Sequence, residues 1–512
     1  MKKHNTLKVV LITILVLMLL TWILPAAYYS SGYVDQGRVQ MGLFDLFSYP
    51  LTALSYFGYI ALFILIVGAF YGVLNKIGAY RILLDKMVKK FKGKEKLVIS
   101  VIMVLFAVLT SICGLQFGLL VFFPMVISLI LLMGYDKIVA ALTVVGSTMI
   151  GIAGTTYAYT NTGLIMSVLG LDIDSEILTK IVILVVGIIL LIFNTFLYIK
   201  KGENKEISTK KVVKEEKITK TSKTTKNIKE TKSKTSTKSS TKAAVKDEEK
   251  IVLKTKDVNS GFVPADVKGK NYKIWPLVTV LVLLFIILVL AFISWTGAFN
   301  STLFTDVTTA VTEFELFGFS IFGKLLGTVK EFGTWTVSEV SVVLILATLL
   351  LSCIYKVKFD DVLDSAKEGA LKAIKPAIVV ILLYTCLVIV TYHPFQLVIY
   401  KAILGLTDGF NALTSSLVAI LTSLFNVDAA YAFNSSLPYV ASLVDSSTYS
   451  IIGVIFQAFY GITMLVAPTS LILMLVLSYL DIPYCKWLKA IWKLLVEIVV
   501  VVAIIIIILV LV

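Results

Sequence analysis

Long apolar runs separated by short polar connections set the pattern of this chain. The clearest runs cover residues 9–24, 51–74, 181–193, 277–293, 342–351, 377–390 and 498–512. Several approach the roughly 20 residues that take an α-helix across a bilayer. Inside hydrocarbon the backbone must satisfy its own hydrogen bonds, so such runs predict helices. The pattern is that of an all-α polytopic membrane protein, with about 10–11 transmembrane helices at that length per crossing.

The runs also fail, and they fail twice in the same order. Gly151-Ile152 leads into a Thr/Tyr/Asn-rich stretch, an apolar run and Leu171-Asp172-Ile173. Gly461-Ile462 leads into Thr463, Pro468-Thr469-Ser470, an apolar run and Leu480-Asp481-Ile482. The Gly-to-Asp spacings are 21 and 20 residues. Upstream of each lies a segment broken by a proline, Pro124 or Pro438, and downstream of each a long apolar stretch, 181–197 or 494–512. Matching interruptions in two halves predict an inverted-topology repeat whose broken segments build a midplane site. Each half should hold a re-entrant hairpin, at about 111–132 and 428–445, and a broken helix, at about 139–170 and 449–480. The second hairpin should turn at Asn434-Ser435-Ser436 and Pro438.

Composition changes the picture little. Of 512 residues, 58% are apolar and 15% charged, too apolar for a soluble exterior of this size. Charge says more. The formal net charge is +15, and residues 200–273 hold 22 Lys against ten acidic residues. This Lys/Thr/Ser-rich stretch predicts a disordered linker between membrane halves 1–199 and 274–512. It could touch anionic lipid or nucleic acid, but a simple tether is favoured, with no nucleic-acid partner. Eight Lys or Arg in residues 76–96 and the basic linker place both on the cytoplasmic side. The more acidic stretches 26–50 and 300–339 should be external, which makes the N-terminus cytoplasmic. Lys2, Lys3 and Lys8 before the first run, and Pro25-Ala26-Ala27 after it, fit a signal peptide weakly; a retained first helix is the expectation.

The candidate site follows from the interruptions. Ser111, Gly114, Gln116, Thr155, Thr156 and Asn161 should line one side. Asn434, Ser435, Ser436, Thr463, Thr469 and Ser470 should line the other. Unwound turns present half-helix N-termini to an anion and free carbonyls to a cation. Small and hydroxyl residues also simply pack membrane helices closely; it is their pairing that points to a substrate-binding site. Ionisable residues inside the apolar runs are scarce, Asp428 and Glu497 being among the few. That scarcity favours Na⁺ over protons as a coupling ion, while an exchanger would need neither. No cofactor motif is present, and Cys113, Cys353, Cys386 and Cys485 form no metal-ligand pair.

Several motifs resemble those of the YfcC-like carriers. They are Leu20-Thr21-Trp22-Ile23-Leu24-Pro25-Ala26, the run from Gly68-Ala69-Phe70-Tyr71-Gly72 to Ile77-Gly78-Ala79, and Gly134-Tyr135-Asp136. Val466-Ala467-Pro468-Thr469-Ser470 and Ile482-Pro483-Tyr484-Cys485-Lys486-Trp487 complete the set. These carriers are related to anaerobic C4-dicarboxylate carriers of the ion-transporter superfamily. The resemblance implies two re-entrant hairpins, two broken helices, a homodimer, an elevator-like motion, and small carboxylates or amino acids as substrates. The chain departs from that pattern in its first hairpin, where Leu119-Leu120-Val121-Phe122-Phe123 stands instead of a glutamate pair. It also lacks an Asn-Pro pair in the first broken helix. The leading expectation is a multi-pass secondary transporter of the cell membrane, in contact with lipid and a small-molecule substrate. A channel and a non-transporting scaffold or sensor are the alternatives. An enzyme is not expected, because no catalytic cluster appears.

Overall fold

A computed structural model describes residues 5–224, 263–264, 272–315, 317, 319–327 and 329–511. In the first half the apolar runs become α1 (Asn5–Ile23), α2 (Asp45–Lys76), α3 (Gly78–Lys90), α4 (Glu95–Cys113), α5 (Phe123–Leu132), α6 (Lys137–Ala141), α7 (Ser147–Ala153), α8 (Tyr159–Leu169) and α9 (Ile177–Thr224). The second half holds α10 (Trp275–Phe292), the short α11 (Trp295–Phe299), α12 (Leu303–Glu313) and α13 (Ile321–Leu326), then α14 (Val337–Ile354) and α15 (Phe359–Tyr392). It ends with α16 (Gln396–Leu404), α17 (Ala412–Phe425), α18 (Ala429–Ala441), α19 (Tyr449–Met464), α20 (Leu471–Leu480) and α21 (Tyr484–Leu511). Between α1 and α2 an antiparallel pair, β1 (Ala26–Tyr29) and β2 (Tyr33–Gly37), forms a small strap that the periodicity did not suggest.

Among the described residues nine helices are long and apolar enough to cross a membrane. The shorter apolar helices, such as Ala412–Phe425 and Leu471–Leu480, account for the other interrupted runs. Much of the linker expected over 200–273 lies outside the described residues, and α9 carries the chain past Lys200 to Thr224. The outward faces are apolar. On α21 the stripe Trp492, Val496, Val500, Ile504 and Ile508 is exposed, while Ile491, Leu494, Ile498, Val502 and Ile506 are buried. An uncovered stripe of this length is unstable in water and ordinary in lipid.

The two halves are built alike. α2 and α15 run antiparallel in even register along their lengths. The Tyr49 ring meets Tyr392 at 5.5 Å, and Phe57 stacks on Tyr384 at 4.1 Å. At the far end Lys76 pairs with Asp361 at 3.0 Å. One to two turns before that end, a Cβ on Gly72 would lie 2.1 Å from the Ser365 carbonyl oxygen, and one on Gly369 2.1 Å from that of Gly68. Only glycine lets these backbones approach so closely. The remaining packing repeats: α1 lies on α15 as α14 lies on α2, α4 on α7 as α17 on α19, and α9 lies against α21.

Both hairpins exist, with boundaries that differ from expectation. The first descends along the whole of α4, turns through residues 114–122 and returns as α5. Its turn begins where Gly114 adopts φ +68°, a left-handed conformation that glycine takes without strain. The second consists of α17 and α18, and it turns at Asn426-Val427-Asp428, not at Asn434-Ser435-Ser436. The reason is capping. Asp428 is extended and its side chain accepts the Tyr431 N–H at 3.1 Å, which starts a helix there. Ser435 and Ser436 fold their hydroxyls back onto the Ala432 carbonyl at 3.1 and 2.7 Å, so they remain helical. Pro438 lies inside α18 and takes away the N–H that would bond the Asn434 carbonyl, yet the helix runs on to Ala441.

Candidate functional site

Both predicted broken helices are broken. The first runs through α6, a wide π-type turn at Leu142–Gly146 and α7, then unwinds over residues 154–158 before α8 resumes. The second unwinds over residues 465–470 between α19 and α20. The two cross beside their breaks. A Cβ on Gly461, one turn before the second break, would lie 2.3 Å from the Ala153 backbone nitrogen, the residue just before the first. Gly151 and Gly154 seat the first break from other directions. Their added Cβ atoms would strike the Ala107 carbonyl oxygen on α4 at 2.5 Å and Leu184 on α9 at 2.6 Å.

Each break is tied to the hairpin of its own half. The Thr156 and Ala158 N–H groups both donate to the Ser111 carbonyl, at 3.0 and 3.2 Å. The Ser111 hydroxyl donates to the Gly154 carbonyl at 2.7 Å and lies 3.1 Å from the Thr156 hydroxyl. Gln116, in the hairpin turn, donates its amide to the Asn161 side chain at 2.9 Å, and Asn161 reaches the Thr155 hydroxyl at 3.4 Å. Thr155 caps back onto the Ile152 carbonyl at 2.7 Å. Gly114 has space for no side chain, since a Cβ would sit 2.4 Å from the Thr160 hydroxyl. The six residues expected on this side therefore come together: Ser111 with Thr156, half-buried Gln116 with Asn161 and Thr155, and Gly114 packed against Thr160.

The other side assembles only in part. The Thr469 hydroxyl donates to the Leu424 carbonyl at 2.9 Å, joining the second break to the last turn of α17, just before the second hairpin's turn. Thr463 is buried in the last turn of α19, and its carbonyl accepts the Val466 and Ala467 N–H groups at 2.9 and 2.8 Å. Ser470 is buried where α20 begins, with no hydrogen bond to its hydroxyl oxygen in this conformation. Asn434 and Ser435 are exposed and Ser436 buried along α18, away from the turn and on the helix that packs against α8.

Three further residues join the site. Gln457 of α19 donates its amide to the Thr155 carbonyl at 2.6 Å, bridging the two halves at the crossing. A lone amide within the apolar run of α19 was a legible signal for it. Asn426 in the second turn donates to Gln396 of α16 at 3.3 Å and to the Thr422 carbonyl at 2.9 Å. No spacing rule would have paired residues 30 apart. A small cavity of about 70 Å³ lies beside the first hairpin, between α5, α2, α15 and α20, where Tyr71, Asn75, Ser128, Lys372 and Tyr479 line it.

Hydroxyls, side-chain amides and two unwound turns form a set of neutral donors and acceptors suited to an anion or a weakly held cation. Three comparisons bear on its identity. The C4-dicarboxylate anaerobic carrier family (DcuC) matches residues 4–511. An uncharacterized protein of Haemophilus influenzae is 27% identical over 142 residues, a stretch that spans 28% of this chain and 28% of that relative. The crystal structure of the Alcanivorax borkumensis YdaH transporter is similar over 98% of both chains, at 13% identity and a TM-score of 0.40. A match over nearly the full length is decisive for membership: this chain belongs to the C4-dicarboxylate anaerobic carrier family.

Proposed function

We propose that the protein is a secondary transporter that moves a small carboxylate across the cell membrane, with C4-dicarboxylates as the first class to test and amino acids as the second. Family membership supports the transport activity. The observation that carries the location is the crossing of the two helix breaks at Gly461 and Ala153, with each break bonded to the first helix of its own hairpin. A ligand held there would meet Gln116, Thr155, Thr156 and Asn161 from one half and Thr463, Thr469 and Ser470 from the other. Asn434, Ser435 and Ser436 would act from α18 once that hairpin moves.

In this conformation the Thr156 and Ala158 N–H groups are taken by Ser111. Carboxylate binding would therefore rest on hydroxyls, side-chain amides and the N-terminus of α8. The scarcity of buried carboxylates favours Na⁺ or exchange over proton coupling. An elevator-like motion would carry the hairpins and breaks against the paired α2 and α15, in a homodimer. The basic ends and the Lys-rich linker would face the cytoplasm, with the N-terminus.

Proteoliposomes with inward gradients of labelled succinate, fumarate or amino acids test the proposal, with and without a Na⁺ gradient. Saturable uptake of one class, reduced by Asn161→Ala and Gln116→Ala, is the expected result. Absence of saturable flux for every carboxylate and amino acid would overturn it, and conductance at channel rates would replace a carrier with a pore.

A further inference from the structure

At the end of the bundle that bears the Lys-rich segment, an open pocket of about 790 Å³ lies between residues 194–202 in the middle of α9 and the first turns of α21. Gly134, Tyr135 and Asp136, the bend between α5 and α6, close its floor. Three cations line it: Lys201 from α9, and Lys489 and Lys493 from α21. Two carboxylates lie close, and both are engaged. Asp136 accepts the Val139 N–H at 3.0 Å and the Tyr198 hydroxyl at 2.9 Å. Glu497 accepts from Asn194 and lies 3.7 Å from Lys493. Among the described residues Lys201 and Lys489 have no carboxylate partner. The pocket keeps a net positive charge in a wall that also carries the rings of Tyr198 and Trp492.

What lies beside this pocket selects the ligand. Leu197 and Trp492 form its rim. Beyond them the outward faces of both helices are bare and apolar, with Phe193 and Val496 each 53% exposed and Trp492 61% exposed. A cationic cup opening directly onto an acyl-chain surface, with a Trp at the junction, matches an amphiphile with an anionic head. A free phosphate would use the lysines and leave the apolar flank bare.

We propose that this pocket is a binding site for an anionic glycerophospholipid, whose phosphodiester sits among Lys201, Lys489 and Lys493 and whose chains lie along Phe193, Leu197, Trp492 and Val496. The site is separate from the helix breaks and joins the last helices of the two halves. Lipid held there would fasten α9 to α21.

The test uses the purified full chain, delipidated in detergent, with thermal unfolding and native mass spectrometry as readouts. Phosphatidylglycerol should raise the unfolding temperature and survive as a bound adduct, and phosphatidylcholine should do neither. The triple variant Lys201→Gln/Lys489→Gln/Lys493→Gln should bind phosphatidylglycerol about a hundredfold more weakly, at a factor of roughly five per lysine. Lys86→Gln/Lys89→Gln/Lys90→Gln, with the same charge loss on α3, should bind like the parent. Equal binding by both triple variants would overturn the proposal. So would a thermal shift with inorganic phosphate as large as that with the lipid. Should the pocket variant fail to fold, a photoactivatable phosphatidylglycerol on the unaltered chain decides. Labelling of residues 190–202 and 484–500 supports the site, and labelling elsewhere refutes it.

Discussion

Gly461→Ala should unseat the crossing on which the site depends. The added Cβ would lie 2.3 Å from the Ala153 nitrogen, 2.6 Å from its Cα and 2.7 Å from its Cβ. Ordinary contact begins near 3.4 Å, so α19 and α7 must separate by roughly 1 Å. The obstacle is main chain, and no rotamer change removes it. Overpacking of this kind costs about 1–3 kcal/mol. Gly453→Ala is the control on the same helix. There the nearest atom is a side-chain methyl, Ile165 Cγ2, at 3.3 Å. Small adjustment accommodates it, and alanine gains about 1 kcal/mol of helix propensity over glycine. Both positions lie in α19 and both variants gain that propensity, so they should differ by the overpacking alone, about 1–3 kcal/mol in stability. Thermal unfolding in detergent should rank Gly453→Ala at or above the parent and Gly461→Ala below both. Uptake into proteoliposomes should fall in Gly461→Ala alone, because the separation displaces one break against the other. Equal unfolding temperatures and equal uptake for the two variants would refute the close crossing.

Gln457→Leu removes the only described donor to the Thr155 carbonyl; interhelical bonds in membranes are worth about 0.6–1.7 kcal/mol, and a loss of that size in a denaturation series, with reduced uptake, is expected. Gly114→Ala forces a side chain into φ +68° and against the Thr160 hydroxyl at 2.4 Å. Thr160→Ala should recover the clash and leave about 1–2 kcal/mol of backbone strain, which a double-mutant cycle separates. Asp428→Ala should lose about 1 kcal/mol with the α18 cap, whereas Asp428→Asn keeps a capping oxygen and should unfold like the parent. A transport defect in stable Asp428→Asn would assign the carboxylate a role in the cycle beyond capping.

How much was legible depends on how local each feature is. Run length and the lack of charge were enough to predict membrane helices, because burial in lipid requires unbroken intrahelical bonding whatever the neighbours. The breaks near Gly154 and Pro468 were legible for the same reason, since Gly, Thr and Pro weaken a helix wherever it packs. The second hairpin was misplaced because Pro438 reads as a stronger break than Asp428, yet α18 carries the proline in its interior and the capping aspartate decides where the helix starts. The paired glycines of α2 and α15 are visible in the sequence, but nothing in it says that Gly72 meets Gly369. Gln457 reads only as an isolated amide; its meaning comes from Thr155, in the other half of the chain. The sequence by itself determined helices, interruptions and their repetition, all of which arise within about 20 residues of backbone. Only the tertiary structure decided which interruption faces which, because that depends on two helix surfaces approaching to backbone contact, a property neither segment carries alone.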